Sequence, residues 1–189
     1  MPQPSPIQAN YVRMLHILTA ASLTPVEPDP DFTLLLRDIE SLERILAVNG
    51  YDVLFVDEPG LFTLTNVGMK TIVARCVKYL ADKNRTPESE HVDTTEQRLV
   101  ASIVDTIKVK NANYGESWSR RGGQGAFLSY VRKTDRLATL VPKYLSGTLS
   151  DDGDKDDDFD DTFVDMIGYL GLFLDRRVSL FDAKHGSAA

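Results

Sequence analysis

Asp161 and Asp165 stand four residues apart in the stretch "DDTFVDMIGYLGLFL" (160–174), where Asp165 is the one charge between Phe163 and Leu174. A helix that is apolar on every side is expected to be buried. An unpaired carboxylate taken out of water is costly, so Asp165 requires a cation, a metal ion or a set of hydrogen bonds. On a helix the spacing places Asp161, Asp165 and then Tyr169 on one stripe, an arrangement by which bundles offer oxygens to a hard divalent ion. The plainer account of Asp161 is an acid favoured by the helix dipole near an N-terminus, and that of Asp165 is a salt bridge to an arginine.

Three other clusters carry residues suited to chemistry, two on apolar helix faces and one in a loop between helices. In "GAFLSYVRKTDRLATLV", Asp135 falls on the stripe of Leu128, Val131 and Ala138, with Arg132 and Arg136 one turn apart beside it. This is either an internal ion-pair network or one wall of a polyanion site. In "RRGGQG", Arg120 and Arg121 precede three glycines that open a helix; forked donors, a closely approachable backbone and a helix N-terminus suit phosphate, although a turn with two solvated arginines has the same sequence. The loop is not a Walker loop, because the Gly-Lys-Ser/Thr ending is missing. In "KNANYGESW" (110–118), Lys110, Asn111 and Tyr114 continue the inward face of the preceding helix, and Trp118 offers a flat surface for a base. A helix stopped by Gly115, with Tyr114 and Trp118 in the core, explains the backbone equally well but leaves Lys110 without a reason.

The elements that must position these residues read as mainly helical. "YVRMLHILTAASL" puts Tyr11, Met14, Leu15 and Leu18 on one face, and a helix over 32–48 turns Leu35, Ile39, Leu42 and Leu46 inward. "YDVLFV" and "LFTLT" flank "DEPG", which predicts a small N-terminal β-hairpin. Met69, Ile72, Val73, Cys76, Val77 and Leu80 then form an amphipathic helix, and the polar "ADKNRTPESEHVD" reads as a linker. "DTTEQ" supplies a capping box, after which Leu99, Val100, Ile103, Val104 and Ile107 face inward, with Glu96 on the same face. A helix over about 126–141, an acidic linker over 151–161 and the apolar helix complete the chain. The expected division is residues 1–90, helices and hairpin, and residues 91–189, a helical domain.

The bulk numbers exclude several classes. A chain of 189 residues with 42% hydrophobic content can bury one well-formed core. The net charge of -7 resides in "DDGDKDDDFDD" (151–161), with eight aspartates and one lysine, leaving 20 basic and 20 acidic residues elsewhere. With no basic excess, no nucleic-acid partner is expected. The acidic run lacks the glycine and glutamate of a calcium loop. No apolar run approaches the length of a membrane span, and "MPQPSPIQAN" has no signal-peptide pattern, so no membrane partner and a cytoplasmic location are expected. The single cysteine, Cys76, sits on an apolar face as a core residue.

The segments "KNANYGESW", "RGGQGAFLSYVRKTDRL" and "DDTFVDMIGYLGL", in that order over about residues 94–175, resemble the nucleotide modification associated domain 1 family. That family is similar in helical layout to the MazG-like all-α nucleoside triphosphate pyrophosphohydrolases, and is associated with phage and bacterial systems that make modified nucleotides. The resemblance implies a helical bundle of that type in which Lys110, Asn111, Tyr114, Asp135, Arg136, Asp161, Asp165 and Tyr169 line one site. It implies that Asp161 and Asp165, with Asp135 or Glu96, hold Mg2+ or Mn2+, and that a nucleoside triphosphate is cut to monophosphate and pyrophosphate. Relatives of this class often form their sites between subunits, which makes a homo-oligomer an expected partner. The Glu-x-x-Glu pair of that superfamily is absent between residues 94 and 145; Glu40 and Glu43 are the one match, in the N-terminal portion. The alternative is a nucleotide-binding or interaction protein without catalysis, in which Asp165 and Asp135 pair with Arg132 or Arg136.

Overall fold

The computed structural model describes residues 10–49, 57–84, 92–114, 122–148 and 159–186, with no side chains described for 92–94, 114 and 122–127. Six helices occur among these residues: α1 (Tyr11–Ser22), α2 (Thr33–Val48), α3 (Pro59–Lys83), α4 (Val92–Tyr114), α5 (Gly122–Leu145) and α6 (Phe159–His185). The mainly helical class expected from periodicity is what is found.

Local chemistry accounts for the helix ends. The Asn10 side chain accepts the Arg13 amide at 3.0 Å and so caps α1. The Asp29 carboxylate does the same for α2 from a distance, taking the amides of Leu34 at 2.9 Å and Leu35 at 2.6 Å. Pro59 opens α3, where its missing N–H costs nothing. Asp160 and Asp161 occupy the first turn of α6 and Lys184 and His185 its last, each sign at the dipole end that favours it. Gly186, with φ of 80°, then ends α6 in a backbone conformation that side chains disfavour.

Helix α6 packs on α5, α3, α1 and α4. That placement explains so broad an apolar face: Phe163, Met166, Ile167, Leu170, Leu172, Phe173 and Leu174 are all buried, and Leu172 lies on the opposite side from the other six. One cluster of buried residues runs from Met14 and Leu18 through Leu35 and Ile72 to Ile103, Leu137 and Leu170. It draws on residues from both sides of the expected division at 90/91.

The second arm of the expected hairpin is corrected. "LFTLT" (61–65) lies in α3, and among the described residues no strand is present. Phe62 and Thr65 are buried at the same spacing as Met69, Ile72 and Cys76, so the 3.6-residue stripe begins at Phe62, and the local alternation is incidental. "YDVLFV" (51–56) lies outside the described residues.

Other boundaries shift as well. Helix α3 continues through Lys83 and α4 begins at Val92, which takes both ends out of the expected linker. Helix α5 starts at Gly122, inside the glycine-rich run, and α6 begins at Phe159, so the last three residues of the acidic stretch are helical.

Candidate functional site

The site grows from a close approach of α4 and α6. A Cβ placed on Gly168 would lie 2.3 Å from Cδ1 and 2.7 Å from Cγ1 of Ile107, so the Ile107 side chain fills the space that glycine leaves on α6. One turn beyond Ile107 is Lys110, and one turn before Gly168 is Asp165. The Lys110 Nζ donates to Asp165 Oδ1 at 2.7 Å. From α5, the Lys133 Nζ reaches the other oxygen, Oδ2, at 2.6 Å. Three helices thus converge on one carboxylate whose side chain is only 18% exposed.

The partner that Asp165 required is therefore a pair of ammonium groups. Burial pushes its carboxyl up, but the hydrogen bonds and charges of Lys110 and Lys133 outweigh that and hold it below the ordinary carboxylate value. Burial likewise works against the Lys110 ammonium. Asp165, with Asp161 and Tyr169 on the same stripe, outweighs it and holds Lys110 above the usual lysine value. The expected stripe of Asp161, Asp165 and Tyr169 faces Lys110. Asn111 sits beside it, its Nδ2 donating to the Tyr11 hydroxyl at 3.1 Å, which brings α1 to the edge of the site.

Lys133 and Tyr11 were not legible as site residues. Lys133 is one of four charged residues in "RKTDR", with nothing in the pattern to separate it from its neighbours. Tyr11 reads as the start of an apolar face.

Asp135 does not join the cluster. The buried face of α5 is Tyr130, Thr134, Leu137, Leu140 and Val141, while Leu128, Asp135 and Ala138 are exposed. The stripe on which Asp135 lies is the outer one. Two residues from Lys133 on a helix is about 200° of rotation, so Asp135 turns away from α6. Its field falls on Glu43 of α2, whose Oε1 accepts the Thr134 hydroxyl at 2.6 Å. Of the sequence match at Glu40 and Glu43, Glu40 is occupied by Arg44 at 2.7 Å on an exposed face. Arg136 is half-buried, with Nη2 enclosed and no hydrogen bond to it among the described residues. Arg132 is exposed.

Glu96 is buried, as its inward position implied, but 14 residues before Lys110 on the same helix, about 21 Å along the axis. It faces a separate cavity shared with Ser22, Thr24 and Lys78. The side chain of Tyr114, and Trp118, Arg120 and Arg121, lie outside the described residues.

This arrangement bears directly on a resident metal. Asp161 and Asp165 stay one turn apart, but Asp135 and Glu96 are elsewhere, and both oxygens of Asp165 accept from lysines. Among the described residues no three of His, Cys, Asp and Glu gather closely enough to hold a metal ion. The four acids expected to bind Mg2+ or Mn2+ do not fit that role as a set. What the cluster does offer is two ammonium groups, each with N–H donors beyond the one spent on Asp165, and Lys110 nearly half exposed at 48%.

Among the described residues no helix is long and apolar enough to cross a membrane. No family model, curated protein or solved structure matches the chain.

Proposed function

We propose that the chain binds the polyphosphate of a nucleotide at Lys110 and Lys133. The observation that carries this reading is the convergence of two lysines, from separate helices, on the single half-buried carboxylate of Asp165. The carboxylate fixes both ammonium groups in place before a ligand arrives, which lowers the cost of ordering them. A triphosphate accepts charge-assisted hydrogen bonds from the remaining N–H groups. The resemblance to the nucleotide modification associated domain 1 family, whose pattern includes Lys110, Asn111, Asp165 and Tyr169, supports a nucleotide as the anion.

A second reading, a metal-dependent nucleoside triphosphate pyrophosphohydrolase of the MazG-like class, is favoured by Asp161. It stands one turn from Asp165 on the same rigid helix, exposed and on the side of Lys110. The two readings part on turnover.

Titration calorimetry with ribo- and deoxyribonucleoside triphosphates, with and without Mg2+ or Mn2+, followed by product separation, tests both. Binding that is lost in Lys110→Ala and Lys133→Ala, with no turnover, supports the binding reading. Release of monophosphate and pyrophosphate establishes the pyrophosphohydrolase. Failure of every nucleotide to bind, in either the presence or absence of a divalent ion, rejects both.

A further inference from the structure

A second cavity, of about 360 Å³, lies between the α1–α2 connection and α3, away from the Lys110 cluster. Its size is that of a small-molecule site. Three features show how it is built.

The connection is held by groups that are already committed. Both oxygens of Asp29 are taken by the Leu34 and Leu35 amides. Arg75 of α3 donates from Nε to Asp38 at 2.7 Å and from Nη1 to the Glu27 carbonyl at 3.1 Å. The arginine therefore braces the wall, and its charge is already matched.

The interior is aromatic. Phe32 adopts a left-handed conformation, φ of 60°, which is costly for a bulky residue and persists only where surroundings enforce it. The enforcement comes from edge contacts with Tyr79, at 5.1 Å between centroids, and Tyr144, at 5.7 Å. All three residues line the cavity, Phe32 as its enclosed floor at 3% exposure. Since the Tyr79 hydroxyl is turned to Asp160, at 3.3 Å, the ring is what the cavity meets.

Lys78 stands among three acids of the lining, Glu27, Asp29 and Asp82, and also borders the cavity that Glu96 faces, yet it is not paired with any of them. Lys78, a turn along α3 from Arg75, lines the cavity, is half-buried and makes no hydrogen bond or ion pair with a described residue. An ammonium partly removed from water has lost hydration and has donors to give.

We infer that this cavity is a binding site for a small flat aromatic anion, whose ring lies against Phe32, Tyr79 and Tyr144 and whose carboxylate or phosphate is taken by Lys78. The site goes beyond the nucleotide reading and does not depend on it.

Three probes that share a naphthalene ring system and differ in charge test it on the full chain: 2-naphthoate, 2-naphthylmethanol and 2-naphthylmethylamine, titrated by calorimetry. The naphthoate should bind tightest. Lys78→Gln should weaken it by about tenfold or more and leave the alcohol unchanged, whereas Lys78→Arg should retain it. Lys110→Gln, in the other cluster, should lower nucleotide affinity but leave naphthoate affinity as it is. The amine reports on Glu27 and Asp82, which also line the cavity. Amine binding as tight as naphthoate binding overturns the proposal. So does naphthoate affinity that is insensitive to Lys78→Gln, that falls in Lys110→Gln, or that is absent in the parent chain. Unchanged melting temperatures in the Lys78 variants exclude misfolding as the cause of a loss.

Discussion

Lys133 of α5 and Lys110 of α4 occupy different oxygens of the same Asp165 carboxylate, at 2.6 and 2.7 Å, so that one side chain ties three helices together. Asp165→Asn should leave two ammonium groups facing a neutral amide. The expected loss of stability is about 1 to 2 kcal/mol, less than for a fully buried pair because Lys110 is half in water. Urea unfolding at neutral pH measures it. Because the folded pKa of Asp165 lies below its unfolded value, its contribution is present above about pH 4 and disappears as pH falls through the folded pKa. The difference between Asp165→Asn and the parent chain should therefore vanish in strong acid. The same variant separates the functional readings: nucleotide binding should weaken if Asp165 only positions the lysines, and any release of pyrophosphate should cease if Asp165 takes part in hydrolysis.

Glu43 behaves in the opposite sense. Burial, only partly offset by the Thr134 hydroxyl and reinforced by Asp135 and Glu40, raises its carboxyl above the usual value. A raised acid favours the folded state below its unfolded pKa and loses that contribution as pH rises through the folded pKa. Glu43→Gln keeps an acceptor for Thr134 and removes the charge. It should melt at a higher temperature than the parent chain at pH 7 and at the same temperature near pH 3.5, as followed by circular dichroism.

Gly168→Ala inserts a methyl group into Ile107. The expected cost is about 1 to 3 kcal/mol of overpacking, less what alanine returns in helix propensity. Adding Ile107→Val removes Cδ1, the atom nearest the new methyl. The double variant should be more stable than the sum of the single effects, by a coupling of about 1 kcal/mol. Additive effects in chemical denaturation would place the strain elsewhere.

Asp175 is buried and accepts from Arg13 Nε at 2.6 Å and from the Asn10 amide at 3.1 Å. Asp175→Ala should cost about 2 to 4 kcal/mol, because it strands a guanidinium and an amide at once. Hydrogen exchange should show the first turn of α1 losing protection first.

The helical class, the inward faces of α1, α2 and α4 and the need of Asp165 for a partner could all be read from residue spacing. In each of these cases one physical rule dominates, the burial of a single stripe. Reading failed where two patterns competed. "LFTLT" alternates like a strand and also begins a helical stripe, and only the continuation through Met69 and Ile72 decides between them. Asp135 was misplaced because α5 carries apolar residues on two faces, and Leu128 and Ala138 belong to the outer one. The identity of the Asp165 partner was beyond reach for a different reason. Lysines are common on every helix, and which ones meet depends on the Gly168 crossing, a tertiary event that local sequence does not encode.

The position of α6 means that the core is complete only when this helix is in place. Its amide-to-carboxylate link from Asn10 to Asp175 spans 165 residues, and it fills the space between α1, α3, α4 and α5. During synthesis the earlier helices emerge with apolar faces that have no permanent cover, and local pairings such as α2 on α3 can form only part of the core. Until residues 159–185 leave the ribosome, those apolar faces lack the helix that covers them in the folded chain, and α6 is the element that closes the core.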